Sequence, residues 1–182
     1  MKVNQLRIKK DMKVSELMEQ FDGSGVLGSG RVARAGNLIV KMIEDEDMGI
    51  FMSVAGPMVP GGMRNIISDM IKACYIDVLM TSGANITHDL LEAFGGRHYR
   101  DLGNNDEELN DAGIGRIADV YTKSDDFELF ESEITKIFET IDKKLDNDKD
   151  KHIISIQALL REVGLLIDDE NSILRQAALN DV

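Results

Sequence analysis

The chain has 182 residues, 43 % of them hydrophobic, and a formal charge of −12. That length supports one ordinary domain with a sizeable core, and no apolar run reaches the roughly 18 residues of a membrane span. The charge argues against a nucleic-acid partner, zinc-type cysteine pairs and His/carboxylate clusters are lacking so no metal is expected, and one cysteine leaves no disulfide framework.

The opening Met1-Lys-Val-Asn-Gln-Leu-Arg7 has no signal-peptide core, and a cytoplasmic protein is expected. Val14, Leu17, Met18 and Phe21 recur at helical spacing and predict a short amphipathic helix. A glycine loop, Gly23 to Gly30, follows. Val32, Ala35, Leu38, Ile39, Met42 and Ile43 predict a longer helix that ends in Glu44-Asp-Glu-Asp47. Gly49 to Val54 reads as a strand, Ala55 to Gly62 as a loop, and Met63 to Cys74 as a helix whose apolar face buries an inert Cys74. Ile76 to Thr81 reads as a second strand. It breaks into Ser82-Gly-Ala-Asn85, with Thr87 as the expected cap of a helix starting at His88. Arg97 to Leu102 and Arg116 to Tyr121 read as short strands, and Asp106 to Asp111 as a helical turn. Asp125 to Leu145 is a strong helix with Phe127, Phe130, Ile134, Ile137, Phe138, Ile141 and Leu145 on one stripe. A charged connector, 146–150, leads to a helix from Ile153 to Val163 that Gly164 caps. Ser172 caps a last helix reaching Leu179. The alternation predicts an α/β fold, a parallel sheet with helices on both faces.

Two strand–loop–helix units in a row place two small-residue loops at the carboxyl edge of such a sheet, where ligands bind. Gly56, Gly61 and Gly62 let a ligand approach the backbone, and the following helix end favours anionic groups such as a pyrophosphate. Pro57 and Pro60 stiffen that loop and remove two donors. The alternative is an ordinary strand-to-helix turn. Gly23, Gly25 and Gly28 satisfy G-x-G-x-x-G, but a helix precedes them rather than a strand, so they read as a connector. His88 falls in the first turn of its helix, where the positive end disfavours imidazolium. A neutral ring there can accept a hydrogen bond from an amine or hydroxyl. His98 and His152 read as structural or solvated. No nucleophile with a nearby base stands out, and no catalytic lysine can be picked. The acidic surface suits a cationic partner such as a polyamine or a basic protein face, or simply confers solubility.

At its two loops the chain resembles the deoxyhypusine synthase family, and its archaeal and bacterial branch more than the eukaryotic enzyme. The similar residues are Phe51-Met-Ser-Val-Ala-Gly-Pro-Met-Val-Pro-Gly-Gly-Met-Arg64, then Asp77-Val-Leu-Met-Thr-Ser-Gly-Ala-Asn85 with His88-Asp-Leu90. Asn110-Asp-Ala-Gly-Ile-Gly-Arg-Ile117 and Asp168-Asp-Glu-Asn-Ser-Ile-Leu174 are also similar, and the resemblance covers nearly the whole chain.

The resemblance implies a Rossmann-like core in a tetramer-type assembly. It implies NAD-dependent oxidation of spermidine, imine formation on an active-site lysine, and transfer of the aminobutyl group to a lysine of a translation initiation factor. It assigns NAD contacts to Gly56, Pro57, Met58, Val59 and Pro60, and to Ser82, Gly83, Ala84 and Asn85. It assigns the amine to Thr87, His88 and Asp89. Thr87 and His88 stand where the eukaryotic enzyme has two glutamates, so another amine, as in homospermidine synthesis, is an alternative. The imine-forming lysine belongs to a carboxy-terminal part that follows this sequence in the family. One domain over 1–182 is expected, with a helical lead-in over 1–47 and the sheet core over 48–182. The sheet is incomplete without that carboxy-terminal part. A complementary carboxy-terminal chain would supply the lysine; the rival reading is a regulatory or pseudo-subunit working with a paralogue. A plain nucleotide-binding α/β module is a third.

Overall fold

The computed structural model describes residues 2–25, 28–100, 105–146 and 153–182. Residues 147–150 of the connector expected over 146–150, His152, and the far end of the strand expected at 97–102 lie outside them. Two compact units divide between Ile50 and Phe51.

The first unit is a pair of helices, α1 (Val14–Ser24) and α2 (Ser29–Glu44). Gly25, at φ 65°, closes α1 in the left-handed conformation that glycine adopts without strain. The glycine-rich run thus joins two helices. Gly36 lets the pair approach closely, since a Cβ there would sit 2.7 Å from Met18 Cε. The extended N-terminal segment is tied to α1: the Asn4 N–H donates to the Gly23 carbonyl at 3.1 Å, and Gln20 Nε2 donates to the Arg7 carbonyl at 2.9 Å.

The second unit holds a two-stranded parallel sheet, β1 (Phe51–Val54) and β2 (Val78–Thr81), with Phe51 opposite Val78 and Val54 opposite Thr81. α3 (Arg64–Lys72) makes the crossover between them. α4 (Gly83–Ala93) follows β2, then α5 (Asp106–Asp111), the hairpin β3 (Ile114–Ile117) and β4 (Val120–Lys123), and α6 (Ser124–Asp146). α7 (Ile156–Leu165) and α8 (Ile173–Leu179) end the chain. One apolar cluster joins the sheet to α3 and α8 through Val54, Ile67, Ile71, Ile76, Ile173 and Ala177. A second joins α4, α6 and α7 through Leu90, Ile141 and Val163, with Ile167 and Leu174. This is the α/β class expected from the alternation.

Several local readings change. The strand expected over 116–121 is a hairpin, because Ala118 turns at φ 55° and sends the chain back antiparallel. α3 ends at Lys72, so Cys74 leaves the helix at φ 56° and is exposed, not buried. Gly164 does not cap α7 but lies inside it, where a Cβ would meet the Leu174 carbonyl oxygen of α8 at 2.5 Å. Ser155 caps α7, accepting from the Ala158 N–H. Among the described residues no helix is long and apolar enough to cross a membrane.

Candidate functional site

The register sets the site. Because Val54 pairs with Thr81, both strands end at one level and release their loops side by side. Thr81 Oγ1 donates to the Val54 carbonyl at 3.0 Å and ties the two strand ends. Gly56 then passes so close to the second loop that a Cβ would lie 3.2 Å from both Ala84 Cβ and Ser82 Oγ. The first loop is helical rather than irregular: a 3₁₀ turn over Gly56–Met58 runs into a π turn over Val59–Met63, kinked where Gly62 adopts φ 88°. Pro57 and Pro60 sit at the starts of these turns, where a missing N–H costs nothing.

The second loop is shorter than expected. Ser82, not Thr87, is the cap: its hydroxyl accepts from the Asn85 N–H, and α4 begins at Gly83. Gly83 and Ala84 therefore form the first turn, whose N–H groups have no intrahelical acceptor by position. Both are exposed, as are Ser82, Pro57 and Met58. Nothing would lie within 4 Å of a Cβ on Gly83, so the backbone there is open to approach. Val59, Pro60 and Asn85 are buried instead. Asn85 Oδ1 accepts from the Val59 N–H at 3.3 Å and stitches the two loops together. The expected nine-residue set thus divides into an exposed rim and a buried stitch. Such a rim, one helix end with small residues around it, fits an anionic diphosphate.

His88 and Asp89 part company. Asp89, 1 % exposed, accepts four hydrogen bonds from side chains and backbone beyond its own helix. Arg64 Nε (2.8 Å) and the Ile173 N–H (3.0 Å) donate to Oδ1; Ser172 Oγ (2.8 Å) and the Leu174 N–H (2.9 Å) donate to Oδ2. It joins α3, α4 and the start of α8. Arg64 Nη2 also meets Asp169 Oδ2 at 2.8 Å. Burial opposes the Arg64 charge, yet Asp89 first and Asp169 after it raise its pKa overall.

His88, 8 % exposed, faces another way. Its Nδ1 lies 3.1 Å from His98 Nε2, and His98 Nδ1 lies 2.6 Å from Glu92 Oε1. Phe127 of α6 stands by its ring, with centroids 6.4 Å apart. Burial, and then the neighbouring His98, lower the His88 pKa, with Glu92 pulling the other way. Thr87 is half-buried in the second turn of α4. His98 and Glu92 are the residues that the sequence reading missed; the Gly95-Gly96 pair before His98 was the available sign of a chain reversal onto α4. Among the described residues no group of three His, Cys, Asp or Glu could hold a metal ion.

The deoxyhypusine synthase family profile matches residues 16–182. The chain belongs to the deoxyhypusine synthase family. It is 57 % identical over 180 residues to a Methanothermobacter thermautotrophicus protein named "Probable deoxyhypusine synthase", covering 99 % of this chain and 57 % of that one. A Methanosarcina thermophila protein of the same name is 38 % identical over 173 residues, covering 94 % of this chain and 52 % of its own length. The chain thus spans little more than half the length of these relatives. The fold is similar to the crystal structure of a "putative deoxyhypusine synthase" from Entamoeba histolytica, with a TM-score of 0.63 at 19 % identity, over 99 % of this chain and 60 % of that one. That likeness supports the α/β fold and carries no residue roles.

Proposed function

We propose that this chain is the cofactor- and amine-binding part of an NAD-dependent aminobutyl transferase of deoxyhypusine synthase type. The observation that carries the reading is the pairing of the two loops. Parallel strands release them at one level, Gly56 passes against Ala84, and the exposed Ser82–Ala84 rim meets the positive end of α4. Gly56, Pro57, Met58, Ser82, Gly83 and Ala84 would hold the diphosphate side of NAD, with Val59, Pro60 and Asn85 fixing the loops beneath. NAD bound there supplies a hydride acceptor. His88, with Thr87 one residue before it, would receive the amine of spermidine or a related polyamine. Asp89 would act on that site from behind, by anchoring α4 to α3 and α8.

The lysine that forms the imine would come from a complementary chain or segment. Among the described residues β2 pairs with β1 alone, and two parallel strands are too few for a buried sheet. A mostly apolar groove of about 620 Å³ runs along β2, α7 and α8, lined by Val78, Leu79, Ile156, Leu160, Leu174 and Val182 among others. On α2, Val32, Leu38, Ile39 and Val40 are about half exposed, which suits an oligomer. On this reading the protein works in the cytoplasm beside the translation initiation factor that accepts the group.

Native mass spectrometry of the protein from its own cells tests the assembly, followed by NAD and spermidine binding to the complex found. A second chain that completes the sheet, with NAD-dependent spermidine oxidation, is the expected result. Finding the chain only with a full-length relative, and no gain in turnover, would instead mark a regulatory subunit. His88→Ala should weaken spermidine binding about tenfold or more and leave NAD binding within about twofold. Equal loss of both would contradict the division of roles.

A further inference from the structure

We propose that His88, His98 and Glu92 form a proton relay that takes a proton from a protonated amine at His88 and delivers its charge to the wall of the cavity that Glu92 and His98 line. The inference rests on the amine reading above only for its substrate; the relay itself stands on geometry.

His88 and Glu92 are one helical turn apart on α4, so both face the same side. His98 is brought between them by a reversal at Gly95 and Gly96. Gly95 takes φ 104°, and a Cβ on Gly96 would sit 2.6 Å from Leu91 Cδ2, so the return demands glycine twice. The return is then fastened to β4, where the Tyr99 N–H donates to the Tyr121 carbonyl at 2.8 Å and Tyr99 accepts from the Tyr121 N–H at 2.9 Å. His98 is held with 5 % of its side chain exposed.

With both rings neutral, the partners fix the proton positions. Glu92 Oε1 is a carboxylate oxygen and accepts, so His98 Nδ1 donates to it at 2.6 Å. Neutral His98 then has a bare Nε2. That atom accepts from His88 Nδ1–H at 3.1 Å. Neutral His88 in consequence has a bare Nε2, a lone pair for an ammonium donor. When the ammonium N–H bond breaks, its electron pair stays on the amine nitrogen and the proton binds His88 Nε2. His88 Nδ1 gives its own proton to His98 Nε2. The product is a free amine, a neutral His88 of the opposite tautomer, and a His98 imidazolium against the Glu92 carboxylate. No oxidant or reductant is consumed, and charge is conserved.

The far end of the chain is accessible. Glu92 and His98 line a cavity of about 310 Å³ with Val59, Pro60, Gly62, Arg64 and Arg100 among its other walls. Glu92 is a quarter exposed. The charged groups around the relay are Glu92 itself, Arg64 of α3, whose Nη1 is 4.0 Å from Glu92 Oε2, and Arg100 on the cavity wall; α6 contributes the uncharged Phe127. Burial lowers the His88 pKa, in keeping with the neutral ring of the relay's resting state.

The chain has three histidines, so ¹⁵N-histidine labelling of this chain within its assembly gives a readable imidazole spectrum. At neutral pH, His88 should carry its proton on Nδ1. On acidification His88 should switch to the Nε2–H form, its Nδ1 then accepting from His98. Glu92→Gln, which keeps size and shape, should abolish the switch; His98→Gln should leave His88 without a fixed tautomer. An Nε2–H tautomer of His88 at neutral pH, or a switch that survives Glu92→Gln, would overturn the relay. Spermidine is the probe for the amine. A perturbed His88 Nε2 signal supports both readings. An unperturbed signal with the switch intact leaves the relay standing and counts against the amine.

Discussion

Adjacent residues on α4 serve different ends, and their partners explain why. Asp89 is buried and accepts four hydrogen bonds, two of them from backbone N–H groups at the start of α8. Removing its charge leaves Arg64 buried against Asp169, with Glu92 4.0 Å away as its other carboxylate neighbour. Asp89→Asn should therefore cost about 3 kcal/mol or more in chemical denaturation, with α8 losing its anchor. An effect within a few tenths would mean that the network is dispensable. His88 makes the opposite demand, since it must stay neutral. Its folded pKa is below the ordinary value of 6.5. Between the lowered value and 6.5 the unfolded chain binds more protons than the folded one. The stability is complete above 6.5 and is lost as pH falls through that window. A urea midpoint measured against pH should drop there in the native protein and drop less in His88→Gln; equal slopes would exclude His88 as the source. His88 and Asp89 stood out in the sequence by their place after a strand and small-residue loop. That the two separate was not legible, because the donors of Asp89 come from Arg64 and from Ser172, Ile173 and Leu174, far along the chain. His98 was missed for a similar reason: its role depends on a three-dimensional return, and only Gly95-Gly96 hinted at it.

At the level of elements, periodicity was sufficient where one stripe packs against one core. α1, α2, α5 and α6 lie where the apolar spacing and charges placed them, and the two strand–loop–helix units stand in order. The departures occur where a backbone geometry or a neighbour overrides local preference. Ala118 takes a left-handed turn with no glycine to announce it, so a hairpin read as one strand. Gly164 looked like a helix end because glycine usually stops helices. Its true cause is the approach of α8, which leaves no room for a side chain. Gly164→Ala places a Cβ 2.5 Å from the Leu174 carbonyl oxygen. Backbone cannot rotate away as a flexible side chain can. The substitution should thus cost about 1–3 kcal/mol despite alanine's better helix propensity. Thermal unfolding of Gly164→Ala checks this; a rise in Tm would show that α7 and α8 can separate without penalty.

For the whole molecule, the decisive feature is a sheet of two strands, each paired among the described residues only with the other. β1 is paired by β2, while β2 borders a groove whose walls are largely aliphatic. Parallel strands are ordinarily covered on both faces and flanked by further strands, so the groove fits a strand or apolar segment from the complementary part of the fold. Ile156 offers a clean probe of this expectation. It lines the groove, begins α7, and is 74 % exposed, so replacing it removes little internal packing. Ile156→Asp should leave the denaturation midpoint of the isolated chain nearly unchanged, because Ser155 still caps α7. It should weaken association with the proposed complementary chain by tenfold or more, since a carboxylate would have to be desolvated against Leu79 and Leu160. Titration of the two chains, read by native mass spectrometry, separates the outcomes. An unchanged dissociation constant would mean that the partner does not enter this groove. A large loss of stability in the isolated chain would mean that Ile156 is internal packing after all.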